Sequence, residues 1–149
     1  MRATMPATDP FDLERFVAAQ APVWRQVVAE LAAARKQSHW TWFVFPQLRG
    51  LGRSAMAERY GIASRAEAAA YLAHPVLGPR LVAATEAMLA APAGRSALAI
   101  LGAPDDVKFR SSMTLFAEVA GAASPFARAL ARYFGGVRDP ATLALLRER

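Results

Sequence analysis

A short segment between Lys36 and Gly52 concentrates residue types that can take part in binding or catalysis. It holds one of the two His and two of the three Trp of the chain. An imidazole exchanges protons near neutral pH, and indole rings offer a stacking wall or a face for a cation. We therefore predict His39 as the candidate catalytic residue; the alternative is a structural His, hydrogen-bonded beneath aromatic rings. The candidate ligand contacts here are Lys36, Ser38, Trp40, Trp42 and Gln47.

A second polar group follows Pro104. Offsets of three and four residues place its acid, its Lys and its two hydroxyls on one face of a helix, opposite an apolar face. A cation and hydroxyls near a helix N-terminus can hold a phosphate or a carboxylate. The alternative is a solvated face with an Asp105–Lys108 ion pair. The candidate ligand contacts of this group are Asp105, Lys108, Arg110, Ser111 and Ser112.

The two Lys residues stand out in a chain that otherwise uses Arg. Of 18 basic residues, Lys36 and Lys108 alone are Lys. Lys is a compact point charge whose pKa shifts on burial, which Arg does not do. A chemical role for the two Lys and chance survival at the surface are both open from the sequence.

Several common chemistries have no signature in this sequence. There is no Cys, and the two His lie 35 positions apart, so no metal site is predicted. Walker, G-x-G-x-x-G and G-x-S-x-G motifs are missing as well. We predict no metal and no cofactor.

The net charge of +6 raises the question of nucleic acid as a partner. The excess is divided between residues 35–59 and 126–149, which argues against a single duplex-binding stripe and for a local anion site. No apolar run approaches the roughly 18 residues of a membrane span, and no secretory signal is evident. The expectation is a cytoplasmic protein without membrane contact.

The spacing of helix breakers predicts an all-α fold of about eight short helices in a single globular domain over residues 9–149, after a disordered tail at 1–8. Asp9-Pro10, Ser124-Pro125 and Asp139-Pro140 have the form of helix starts. Ser64 and Glu67 form a capping box. The first two helices are expected at 11–19 and 22–36, the aromatic segment is expected to be irregular, and Gly61 should end a helix in the left-handed conformation.

Four motifs extend across the chain. They are Lys36-x-x-His39-Trp40-x-Trp42-Phe43-x-Phe45-Pro46-Gln47, Gly50-Leu51-Gly52-x-Ser54, Tyr71-Leu72-x-His74-Pro75-x-Leu77-Gly78-x-Arg80-Leu81 and Asp105-x-x-Lys108-x-x-Ser111-x-x-Thr114-Leu115-Phe116. With them the chain resembles the bacterial family known as domain of unknown function 1810, from about residue 11 to 146. The resemblance implies a single helical domain, stacked loosely like armadillo repeats, and no established activity. Family members are often labelled calpastatin, a label that a chain with 54% hydrophobic residues does not support.

Two functions follow as hypotheses. In the first, the two polar groups meet across a pocket that binds a small anionic or nucleotide-like molecule, with His39 as acid or base if the ligand is turned over. In the second, the Trp-rich segment is an exposed surface that docks a protein partner. Burial of Trp40 and Trp42 distinguishes them, because buried rings beside converging polar tips favour a pocket.

Overall fold

The computed structural model describes residues 8–149, and within them the chain forms ten helices and no strand. This confirms the all-α prediction and adds the one-turn helix in the aromatic segment. All but residue 8 of the tail predicted at 1–8 lies outside the described residues. The helices are α1 (Glu14–Gln20), α2 (Trp24–Ala32), α3 (Thr41–Val44), α4 (Ala55–Arg59), α5 (Arg65–Ala73), α6 (Leu77–Ala90), α7 (Ala97–Leu101), α8 (Asp105–Ala120), α9 (Pro125–Phe134) and α10 (Pro140–Glu148).

Side-chain caps fix where half of these helices begin. A hydroxyl or carboxylate oxygen accepts a hydrogen bond from the backbone N–H three residues ahead, which satisfies a donor that has no partner inside the helix. The capping residues are Ser54, Ser64, Ser96, Ser124 and Asp139. Local sequence therefore determines these starts.

The first two helices are shorter than predicted, because the backbone turns at single residues. Asp12 has a φ of +53°, so α1 begins at Glu14, and the Asp9 carboxylate accepts hydrogen bonds from the Leu13 and Glu14 N–H groups. At the end of α2, Ala34 also has a φ of +53°. The chain thus leaves the helix before Lys36.

Helix α8 is the centre of the domain and packs against α5, α7, α9 and α10. Phe109 and Phe116 on its apolar face are fully buried. The ring of Phe109 meets that of Phe45, from the aromatic segment, at 4.8 Å between centroids with a T-shaped geometry. The core therefore ties the aromatic segment directly to α8.

Gly61 is needed for a close approach rather than for a left-handed turn, so the predicted left-handed conformation is wrong. It is not among the positive-φ residues of the described chain. A Cβ at this position would lie 2.6 Å from the Arg49 Cβ and 2.7 Å from the Arg49 Cα. The reason is a short parallel bridge between Leu48 and Ile62 that brings the two segments together.

In the part of the chain that the structure describes, no helix is long and apolar enough to cross a bilayer.

Candidate functional site

A cavity of about 300 Å³ opens between the aromatic segment and the start of α8. That volume lies at the lower end of the roughly 300–1,000 Å³ typical of ligand pockets. The two polar groups that the sequence singled out meet here. The lining residues are Lys36, Gln37, His39, Trp40, Thr41, Trp42, Leu101, Ala103, Pro104, Asp105 and Lys108.

Glu30 of α2 holds residues 37–40, which form part of the cavity wall, in place. Its side chain is buried and accepts hydrogen bonds from the backbone N–H groups of Gln37 and Ser38, at 2.9 and 3.0 Å. The Ser38 hydroxyl and the Trp40 indole N–H also donate to it, at 2.6 and 2.9 Å. One carboxylate therefore fixes the path of residues 37–40.

The Glu30 carboxyl is ionised as a consequence of these contacts. Burial by itself would raise its pKa, but the hydrogen bonds from Ser38, Gln37 and Gln26 outweigh burial and lower the pKa from 4.5 to about 2. Each of these donors stabilises the charged form. The anchor of the Trp-rich wall is thus a buried carboxylate.

Lys36 and Asp105 line the cavity and form an ion pair with each other. The Lys36 ammonium lies 2.8 Å from the Asp105 carboxylate, donates to the Ser38 carbonyl and lies 5.0 Å from the centre of a Trp40 ring. Only 5% of the Lys36 side chain is exposed. This cation is already neutralised, and Asp105 pairs with Lys36 instead of the Lys108 partner envisaged from the sequence.

Lys108 is the other cation of the cavity, and its surroundings differ. Its ammonium lies 4.9 Å from the centre of a Trp42 ring, and both side chains are half-buried. Among residues 8–149 it has no carboxylate within ion-pairing distance. Lys108 therefore presents an uncompensated positive charge to the cavity.

Two neighbouring polar groups are buried without a partner. They are the Thr41 hydroxyl and the Trp42 indole N–H, which find no hydrogen bond among the described residues. Thr41 is 1% exposed. Both residues also line a water-sized cavity of about 10 Å³ that Lys108 shares. A buried donor without a partner costs about 1–3 kcal/mol, and a cavity of this size has room for an acceptor no larger than a water molecule.

A second cavity of about 310 Å³ lies on the other side of Lys108. It shares Pro104 and Lys108 with the first cavity. Its walls combine apolar side chains with an amide, a hydroxyl and a carboxylate. The lining residues are Gln47, Leu51, Gly52, Pro104, Val107, Lys108, Ser111, Asp139 and Ala141.

His39 lies at the rim of the first cavity, exposed to solvent. No hydrogen bond to its ring is present among the residues that the structure describes, so the structural, hydrogen-bonded alternative has no support there. The imidazole is free to meet a ligand at the entrance.

Three predicted contacts line neither cavity. The Ser38 hydroxyl is taken by Glu30, and Ser112 is fully buried in the core. The Arg110 guanidinium donates to the carbonyls of Val137 and Arg138.

Gln47 and Ser111 line the second cavity. The Ser111 hydroxyl lies within hydrogen-bond distance of both the Val107 carbonyl and the Asp139 carboxylate. The other predicted residues are thus divided between two adjoining cavities.

Three residues of the site were missed from the sequence: Glu30, Thr41 and Asp139. Glu30 could have been found, since an acid within the apolar stripe of α2, between Val27 and Leu31, needs a buried partner. Asp139 was predicted only as a helix start. Thr41 has no sequence signal, because its importance comes from burial beside Lys108.

The fold and cavity define a helical domain with a small polar site of net positive charge, formed by two cations, one carboxylate and exposed His39. Residues 8–149 contain no cluster of three or more metal-ligating side chains. The family model described as "Protein of unknown function (DUF1810)" matches residues 10–146, so the chain belongs to this family.

One solved structure is similar over nearly the whole chain. The chain is similar to the conserved hypothetical protein Rv1873 from Mycobacterium tuberculosis, with 58% identity and a TM-score of 0.90. The match covers 93% of this chain and 99% of that one. Among curated proteins there is no match.

Proposed function

We propose that this protein binds a small anionic molecule, with Lys108 as the cation that meets the anionic group. The observation that carries the proposal is the position of its ammonium, over the Trp42 ring and without an acidic partner among the described residues. The Lys108 ammonium lies against an aromatic face where two cavities adjoin, so it can form an ion pair with an anionic ligand from solution.

The neighbouring neutral groups are consistent with this role but lie out of reach of a direct ligand contact. The Trp42 N–H and the Thr41 hydroxyl are buried beside a water-sized cavity, so they suit a bridging water beneath the Lys108 ammonium. The Lys36–Asp105 pair adds no net charge. Lys108 therefore accounts for the net positive charge of the first cavity.

The size of the first cavity and its indole wall suit a nucleotide-like or other phosphorylated molecule. His39 at the entrance is placed to exchange a proton with such a ligand, which is the acid or base role proposed for it if there is catalysis. A cytoplasmic location belongs to the same proposal.

A protein-docking role for the Trp-rich segment has less support. Docking anchors need exposed rings, whereas Trp40 is 1% exposed and hydrogen-bonded to Glu30. Trp42 is half-buried and covered by Lys108.

A phosphate titration at constant ionic strength, followed by Trp fluorescence and calorimetry, tests the proposal. We expect saturable binding to the wild type and a loss of roughly ten- to a hundredfold in affinity for Lys108→Gln, because a charge-assisted hydrogen bond is removed. The matched control is Arg147→Gln, which removes the same charge from an exposed position outside both cavities. Equal affinities for all three proteins, or no saturable binding to the wild type, would refute the proposal.

A further inference from the structure

Lys108 stands between two cavities of nearly equal volume, about 300 and 310 Å³. Pro104 is shared by both linings as well. When the anionic group of a ligand binds Lys108, the second cavity therefore lies beside it and can hold another part of the same ligand. The chemistry of that cavity indicates what the rest of the ligand is.

Asp139 determines the electrostatics of the second cavity. One carboxylate oxygen, Oδ2, is held by the Thr142 N–H at 3.1 Å, by the Thr142 hydroxyl and by the Ser111 hydroxyl at 3.0 Å. The other, Oδ1, accepts no hydrogen bond within residues 8–149. The carboxylate is thus fixed in orientation, with an acceptor left for a donor from outside.

The remaining walls are suited to a neutral molecule. The Gln47 amide can donate and accept, and its hydrogen-bonding groups have no partner in the described part of the chain. Leu51, Val107 and Ala141 provide apolar surface. An acceptor, an amide and apolar patches suit the hydroxyl groups and C–H faces of a polyol, whereas a second anionic group would be repelled by Asp139.

We propose that the ligand is a monophosphorylated polyol, such as a sugar phosphate or the ribose phosphate part of a nucleotide, which lies across both cavities. Its phosphate meets Lys108, and its neutral hydroxyl groups reach Asp139 and Gln47 in the second cavity. This inference rests on the proposed anion site and adds the class of ligand to it.

Calorimetry with inorganic phosphate, ribose 5-phosphate and fructose 1,6-bisphosphate tests the inference at constant ionic strength. We expect ribose 5-phosphate to bind at least about tenfold more tightly than phosphate, and the bisphosphate more weakly than ribose 5-phosphate. If ribose 5-phosphate binds no better than phosphate, or the bisphosphate binds as well, the inference is wrong while the anion site stands. Binding of none of the three would refute the anion site itself.

Two variants separate the cavities. Ala141→Leu fills the second cavity from an exposed position, so it should reduce ribose 5-phosphate binding to the level of phosphate and leave phosphate unchanged. Asp139→Asn keeps a helix-capping oxygen and removes the negative charge. It should therefore reduce the difference in affinity between ribose 5-phosphate and fructose 1,6-bisphosphate. Circular dichroism confirms folding of both. Unchanged preferences in both folded variants would overturn the inference.

Discussion

The Lys36 ammonium lies 2.8 Å from the Asp105 carboxylate, and this ion pair joins the segment after α2 to the first turn of α8. The Lys36 side chain is 5% exposed and that of Asp105 19%. Because water is largely excluded, removing one partner leaves a charge with little solvent to compensate it. The pair therefore holds the two walls of the first cavity together.

We predict that Lys36→Met lowers the free energy of unfolding by about 1–3 kcal/mol, and that adding Asp105→Asn restores part of the loss. Urea denaturation of the single and double variants measures this coupling. The control is Arg128–Glu86, a pair at 3.0 Å whose side chains are each 53% exposed. Arg128→Met should change stability by less than about 1 kcal/mol. Equal losses at the two pairs would contradict the prediction.

The parts of the fold that the sequence predicted correctly depend on neighbours in the chain. Ser64 and Asp139 cap the helices that follow them, and a capping contact spans only three residues. His74 accepts hydrogen bonds at Nδ1 from the Val76 and Leu77 N–H groups, two and three residues ahead. Such local contacts are readable without knowing the fold.

Other errors and omissions involve residues that are distant in the chain. Gly61 is constrained by Arg49, and the pairing of Asp105 with Lys36 joins residues 69 positions apart. From the sequence, contact between the aromatic segment and α8 is only a hypothesis. The packing of Phe45 on Phe109 is the contact that brings the two together. Ser112 lies four positions from Lys108 and shares its helix face, so spacing could not separate the two, and only the packing of the whole helix buries Ser112. Arg110 lies two positions from Lys108, on a different face, so its absence from the cavity could have been predicted.

Glu30 should make stability depend on pH in the acidic range. Its pKa is about 2 in the folded protein against 4.5 as a reference, so the unfolded chain takes up a proton first as the pH falls. The stabilisation is complete above about pH 4.5 and is lost as the pH falls towards 2, with a total of about 3 kcal/mol.

Chemical denaturation of the wild type and Glu30→Gln between pH 7 and pH 3 checks this contribution. The variant should be less stable at pH 7, and the difference between the two proteins should shrink as the pH falls. Other carboxyls titrate in both proteins and cancel in the difference. A difference that stays constant with pH would contradict the assignment of the effect to the Glu30 charge.

Gly78, in the first turn of α6, allows α5 and α6 to approach closely. A Cβ here would lie 2.1 Å from the Leu72 carbonyl oxygen, which is backbone and cannot move alone. Gly to Ala in an unhindered helix position stabilises by roughly 0.5–1 kcal/mol, so the sign of the effect tests the contact. We predict that Gly78→Ala destabilises by more than about 2 kcal/mol. The control is Ala83→Gly, at an exposed position of the same helix, which reports the difference in helix propensity between Ala and Gly without a steric contact. Thermal denaturation of the two variants measures both changes in stability.

The two His residues should respond in opposite ways to substitution. His39 is exposed and its ring has no hydrogen bond among the described residues, so His39→Ala should change the free energy of unfolding by less than about 0.5 kcal/mol. The His74 Nδ1 accepts hydrogen bonds from the Val76 and Leu77 N–H groups just before α6 and at its first residue, so His74→Ala should cost about 1 kcal/mol. Phosphate binding should show the reverse order, since His39 lines the first cavity and His74 lines neither. Parallel urea and phosphate titrations of both variants measure the two orders. If His39→Ala clearly lowers the free energy of unfolding, His39 has a structural role. If the variant binds phosphate as the wild type does, His39 is not a ligand contact.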